Sequence, residues 1–288
     1  MVRPAEKKRA VEVICAMPKP PSIRRACQLV GLNRATWRYR PKPDPNHKLR
    51  NRIRELAARY PYYGSPMLYN LLRNEGKLVN HKRVERIYRL EKLSLRLKRS
   101  RKKLRHLREA LPVPEARDEV WSMDFIHDHL VNGRQLKCLT MVDHCTRESP
   151  ALHADHSIRG KNVVEILEGL RMTGRKPKAL VTDNGPEFRS KVLAAWAGHH
   201  GVRLHFIEPG KPIQNAFIES FNSRFRHECL NQNWFLNIQE SRLIIGSWRK
   251  EYETIRPHSG LKGLTPKQAA QRLNNNFLNP DSVSFQLG

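Results

Sequence analysis

The sequence predicts an all-α front half joined to an α/β core, a mixed sheet flanked by helices. Three observations predict it. In the first hundred residues apolar positions recur at helical spacing, punctuated by Pro and Gly. From residue 119 onward, short β-prone runs alternate with longer helical ones. Charge divides at the same point: residues 1–118 hold 32 Lys/Arg against 10 Asp/Glu, and residues 119–288 hold 22 against 17. The 288-residue chain carries a formal net charge of +27. A basic half before a nearly balanced half reads as a polyanion clamp followed by an enzyme-like core. Charge alone suits a ribosomal or nucleoid-associated protein equally well, because it identifies a polyanionic partner and not a reaction.

The front half holds two helical units. Residues 5–17 form a first helix, ended by Pro18, Pro20 and Pro21. Ser22 caps a second helix, 23–29, Gly31 turns the chain, and Asn33 caps a third, 34–40. Helix, Gly turn, helix is the helix-turn-helix pattern, and it places Arg34, Arg38 and Arg40 where groove-reading side chains sit. Pro41, Pro43 and Pro45 mark a linker. Leu49, Ile53, Leu56 and Tyr60 then repeat at helical spacing. Ser65 as cap and Pro66 as first helical residue open another helix, ended by Gly76, and Asn80 caps a last one. Lys82, Arg83, Arg86 and Arg89 line its polar side as a second set of candidate DNA contacts. Residues 98–108 are a dense basic run suited to lying along phosphates.

In the back half, residues 120–126, 136–142 and 150–153 read as three consecutive antiparallel strands. A helix over 162–172, a buried-type strand over 179–182, a helix over 192–199, a strand over 202–207 and a long helix over 214–230 follow. That order is the order of a ribonuclease H-like core.

Three carboxylates stand out in this framework. Asp124 lies in the first strand, Asp183 ends the apolar run 180–182 before Asn184-Gly185, and Glu219 lies on the long helix. If the strands bearing Asp124 and Asp183 are neighbours, the three converge, and converging carboxylates can hold two magnesium ions that cut and join phosphodiesters. Asn215, Glu219, Asn222 and Arg226 fall at i, i+4, i+7 and i+11 on one helix face, so Asn215, Asn222 and Arg226 are expected to face DNA, with Lys211 on the entering loop. Phe217, Phe221 and Phe225 form a separate stripe, read as core. Glu187 is a spare carboxylate, and Asp143 and Asp128 read as turn or surface acids. His127, His129, Cys138, His144 and Cys145 invite a zinc reading that their irregular spacing disfavours. Trp248 and Tyr252 read as packing. The five cysteines are scattered without a CxxC, which suits reduced thiols, and no uncharged run approaches a membrane span. The expectation is a cytoplasmic, nucleoid-associated protein with no membrane partner.

Three segments carry a resemblance: Trp121-Ser122-Met123-Asp124-Phe125, Val181-Thr182-Asp183-Asn184-Gly185-Pro186-Glu187-Phe188, and residues 209–222 around Asn215 and Glu219. They resemble the integrase core of bacterial insertion-sequence transposases, most closely the second-reading-frame product of the family numbered three. Arg256-Pro257-His258 with Leu264-Thr265-Pro266 resembles that family's C-terminal motif, and Tyr63-Gly64 with residues 79–84 resembles its upstream helix-turn-helix. The resemblance implies an Asp-Asp-Glu transposase with Asp124, Asp183 and Glu219 as catalytic metal ligands and two Mg²⁺ (or Mn²⁺) ions. It implies a chain that binds element terminal repeats and target DNA, self-associates on DNA, and is often fused to an upstream-frame helix-turn-helix and zipper product. The expected domains are 1–46 and 47–110, both helix-turn-helix, 111–230 as catalytic core and 231–288 as its helical extension. The alternative is a non-catalytic, transposase-derived DNA-binding regulator.

Overall fold

The computed structural model describes residues 3–40, 44–95, 114–208 and 215–278. The chain divides into two compact units, 1–52 and 53–288. In the first, α1 (Pro4–Cys15), α2 (Ile23–Leu29) and α3 (Arg34–Arg38) close around Val11, Ala26, Cys27 and Leu32. Ser22 Oγ accepts from the Arg25 N–H at 3.3 Å and Asn33 Oδ1 from the Ala35 N–H at 2.8 Å, the caps their side chains are suited to give. Gly31 turns the chain at φ +62°. α3 stops at Arg38, two residues short of the expected end, because the residue before Pro41 is biased away from helix. Arg34 and Arg38 are both exposed.

The unit boundary falls inside α4 (His47–Arg59), which buries Ile53 and Leu56. In the second unit α5 (Ser65–Asn74) packs on α6 (His81–Leu90), burying Leu68, Leu72, Val84 and Ile87. Gly64 is the N-cap of α5, with Ser65 and Pro66 already helical, one residue off the expected cap. Asn80 Oδ1 accepts from the Lys82 N–H at 2.8 Å as expected. Lys82, Arg83 and Arg86 lie on the exposed face of α6. The basic run 98–108 lies outside the described residues.

The sheet has the order β3-β2-β1-β4-β5. β1 (Val120–His129), β2 (Gln135–Asp143) and β3 (Leu152–Asp155) form an antiparallel meander, and β4 (Ala179–Thr182) and β5 (Arg203–Phe206) run parallel to β1. β3 starts two residues later than expected, since Pro150 has no N–H for the ladder. Alternation splits β1 and β2 between two cores. Trp121, Met123, Leu139 and Met141 pack with Val163, Leu167, Leu193 and Trp196 of α7 (Gly160–Met172) and α8 (Lys191–His200). Ile126, Leu136, Cys138 and Val142 pack on the opposite face with α9 (Ala216–Glu228) and α10 (Ile238–Thr254). The core of that layer is aromatic: Phe221 meets Tyr252 edge-on at 4.9 Å, and Phe225 meets Trp248 at the same separation. α9 ends two residues early at Glu228 and gives way, after Cys229, to a 3-10 turn, Leu230–Gln232. α11 (Pro266–Leu278) packs on α10.

Candidate active site

The β1–β4 pairing aligns Ser122 with Val181, which brings Asp124 level with Asp183, the first residue past β4. Asp124 shares the strand face of Ile126, toward α9. There Asn222 Nδ2 donates to Asp124 Oδ2 at 2.8 Å, while the Phe125 backbone N–H donates to Oδ1 at 2.7 Å. Burial pushes the Asp124 carboxyl up to about 6, and the like charges of Asp183 and Glu219 push the same way. The hydrogen bonds from Phe125 and Asn222 oppose that rise. Asp183 Oδ1 accepts from the Gly185 N–H at 3.0 Å, and Asn184 Nδ2 donates to the Ile207 carbonyl at 2.8 Å, tying the ends of β4 and β5 together. A Cβ on Gly185 would stand 3.0 Å from Asp183 Oδ1 and 3.4 Å from Glu187 Oε2. The glycine thus keeps space beside the carboxylates. Glu219 is exposed on α9.

The polar face of α9 is not a free surface. Asn222 and Asn215 are buried, and Arg226 Nη2 donates to the His127 carbonyl at 2.9 Å. The apolar stripe of Ile218, Phe221 and Phe225 seats α9 close enough to β1 for Asn222 and Arg226 to reach the strand. Lys211 lies outside the described residues. Glu187 is ion-paired with Lys137 at 2.5 Å, and that ammonium also sits 4.1 Å over the Phe125 ring. Asp143, expected as a turn or surface acid, is a turn acid and fully buried. Its carboxylate accepts from the backbone N–H groups of Asp118, Cys145 and Thr146 and from the Trp121 indole, so it organises the turn after β2. The bond from the Cys145 N–H, two residues on, makes this an Asx-turn. The residues weighed for zinc are each engaged elsewhere or apart: His127 Nδ1 meets Gln135, Cys138 is in the α9 core, and His144 Nε2 meets Ser122 Oγ at 2.6 Å. Burial holds the His144 imidazole down to about 4. Among the described residues no three His, Cys, Asp or Glu side chains stand close enough to hold an ion as they are.

Arg256 clamps the end of α9. Its Nε lies 2.9 Å from Glu228 Oε2 and its Nη2 2.7 Å from Glu228 Oε1, a bidentate pair with both side chains nearly buried. His258 stacks edge-on to Tyr252 at 4.7 Å. The Arg-Pro-His segment therefore fastens α9 and α10, a role its sequence does not reveal.

The integrase core domain family matches residues 114–212, a second integrase core domain family matches 200–266, and the HTH-like domain family matches 45–103. The insertion element IS407 uncharacterized 31.7 kDa protein of Burkholderia multivorans (strain ATCC 17616 / 249) is 46% identical over 252 residues, 87% of this chain and 91% of that one. The chain belongs to the insertion-element transposases with an integrase core. The insertion element IS476 uncharacterized 39.2 kDa protein of Xanthomonas euvesicatoria is 43% identical over 270 residues, 93% of this chain and 78% of that one. The transposase fold is also similar to a chain in the cryoEM structure of the simian T-cell lymphotropic virus intasome in complex with PP2A regulatory subunit B56 gamma, with a TM-score of 0.51 at 12% identity over 82% of this chain and 78% of that one. The ribonuclease H-like core and the helix-turn-helix region preceding it are thus both present. As a transposase the protein acts on DNA strands, within the polynucleotidyl transferases. Among the described residues no helix is long and apolar enough to cross a membrane.

Proposed function

We propose that Asp124, Asp183 and Glu219 are the carboxylates with which this transposase cleaves and joins DNA at the ends of its element. The observation that carries the reading is geometric: the β1–β4 register sets Asp124 level with Asp183, and Asn222, on the helix that bears Glu219, donates to Asp124 at 2.8 Å. The donor chemistry suits a hard divalent cation: three carboxylates, two of them at neighbouring strands, with Asp124 and Asp183 each fixed by a neutral donor. Asp124, Asp183 and Glu219 would hold Mg²⁺ or Mn²⁺, two ions in the full site. When bound there, such ions supply Lewis-acid stabilisation to the attacking and leaving oxygens of the phosphodiester.

The chain's own residues set the geometry. Asn222 orients Asp124 from α9, so the helix bearing Glu219 and the strand bearing Asp124 are coupled by one hydrogen bond. Gly185 leaves the space beside Asp183 clear. Water is the nucleophile for cleavage, and a DNA 3′-hydroxyl for joining. Arg34 and Arg38 in residues 1–46, and Lys82, Arg83 and Arg86 in residues 47–110, supply exposed cations for element-end and target DNA. Residues 111–230 carry the chemistry and 231–288 brace it. The transposase self-associates on DNA and pairs with an upstream-frame helix-turn-helix and zipper product.

The test is strand transfer with Mg²⁺ on DNA carrying the element ends. Asp183→Asn is expected to lower turnover by on the order of 10³-fold or more while binding the same DNA. Equal turnover by the variant and the wild type would overturn the assignment.

A further inference from the structure

Among the described residues a cavity of about 310 Å³ opens beside the first turns of α9, its walls including Arg147, Phe217, Ser220, Arg224, Tyr252 and His258. Two buried polar atoms on these residues have no partner among the described residues, Arg147 Nη1 and His258 Nε2. A buried polar group left unsatisfied costs about 1–3 kcal/mol, more when charged, and an unfilled ligand site is one reason a native fold keeps one. The buried Arg256 is matched by Glu228, and the half-buried Arg175 and Arg117 by Asp118 and Glu148. Neither Arg147 nor Arg224 has an ion-pair partner among the described residues. Arg224 donates to the Ser220 carbonyl at 2.8 Å and to the Ser220 hydroxyl, both neutral.

The backbone is arranged to hold this unmatched charge. Arg147 has φ +61°, a conformation that costs a non-glycine residue on the order of 1–2 kcal/mol. The Asp143 turn holds it there: the Asp143 carboxylate accepts from Cys145 and Thr146, and the Asp143 carbonyl accepts from the Arg147 N–H at 3.0 Å. The guanidinium lies 3.7 Å over the Phe217 ring, on the wall of the cavity. Burial disfavours the charge of both arginines, and it combines with Arg256, Arg224 and Arg147 to hold His258 down to about 2. An anion in the cavity would reverse each of these penalties and would favour a proton on His258 Nε2.

We propose that Arg147 and Arg224 form a subsite for a single backbone phosphate of the DNA on which this transposase acts, separate from the carboxylates. Ser220 on the cavity wall directly follows Glu219, so a strand held here runs beside the helix that carries that carboxylate. The subsite rests on the protein acting on DNA and not on the metal assignment.

The experiment measures binding of the full chain to a short DNA duplex across a range of salt, in EDTA, so that the carboxylate site contributes no metal. Arg147→Gln and Arg224→Gln are each expected to weaken binding and to reduce the slope of log K against log salt by about 0.9, the contribution of one phosphate. The double variant should lose no more slope than either single one, because both cations serve one phosphate. Arg147→Lys, which keeps the charge, should retain the wild-type slope and reports on the subsite even if the glutamine variant folds poorly. An unchanged slope in Arg224→Gln, or a doubled loss in the double variant, would overturn the proposal. The same slopes in an Asp183→Asn background separate its failure from that of the carboxylate reading.

Discussion

At position 124 a carboxylate is opposed first by burial and then by the charges of Asp183 and Glu219. Its folded-state value of about 6 lies above the ordinary 3.8, so the folded protein holds a proton that the unfolded chain releases. The stability contributed by that proton is full below about pH 4 and is lost as pH rises through 6. Asp124→Asn should therefore raise metal-free stability by on the order of 1–2 kcal/mol at pH 8 and by almost nothing at pH 4, read from urea unfolding at the two pH values. A destabilised variant at pH 8 would contradict the electrostatic account. Strand transfer should be lost in the same variant, the usual opposition between a strained site and a stable fold. Asp124, Asp183 and Glu219 were singled out in the sequence because each stands in a distinctive local run. Asp143 was not, because a strand-end acid reads as solvated until the chain buries it under Trp121. Arg147 was invisible for a related reason: its significance lies in a left-handed backbone and an absent partner, neither of which is a property of residue type.

Among the elements, α9 has the most demanding position, since it carries Glu219, places Asn222 on Asp124 and fills the second core with Phe221 and Phe225. Helical spacing foretold Phe221 and Phe225 in its core stripe, with Phe217 partly buried beside them. What holds its far end did not follow from spacing, because the Arg256–Glu228 pair joins residues from different elements. Arg256→Ala leaves Glu228 nearly buried without its partner and is expected to destabilise the protein by about 3–5 kcal/mol in denaturant unfolding. Pairing Arg256→Met with Glu228→Leu removes both charges and should recover most of that loss. If the single variant costs under about 1 kcal/mol, the pair is a surface-like contact and the Arg-Pro-His segment has another role. The element ends that sequence placed one or two residues away, the α5 cap, the start of β3 and the end of α9, were decided by backbone donors and φ/ψ that the apolar pattern does not encode.

Over the whole molecule, the change in charge near residue 118 and the structural division near residue 52 do not coincide. Part of the basic half is built into the unit that carries the sheet. Arg59 reaches Glu251 at 3.2 Å, Tyr60 stacks on Tyr63 at 4.8 Å, and the Arg256 guanidinium lies 5.7 Å from the centre of the Tyr63 ring. Tyr63 is buried, and burial with the nearby Glu228 charge pushes its hydroxyl well above the ordinary range. A chain beginning at residue 53 should therefore keep the thermal stability of the α/β core while losing Arg34 and Arg38 and, with them, part of the salt dependence of DNA binding. A chain beginning at residue 111 removes Tyr63 as well. Stripping one large aromatic from a packed site removes about 1.5–3 kcal/mol of burial and uncovers the Arg256–Glu228 pair to water. The longer truncation should thus melt several degrees below the shorter one. Equal melting temperatures would mean that residues 53–110 ride on the core without bracing it. A gap between them would make residues 53–110 a structural part of the unit that carries the sheet.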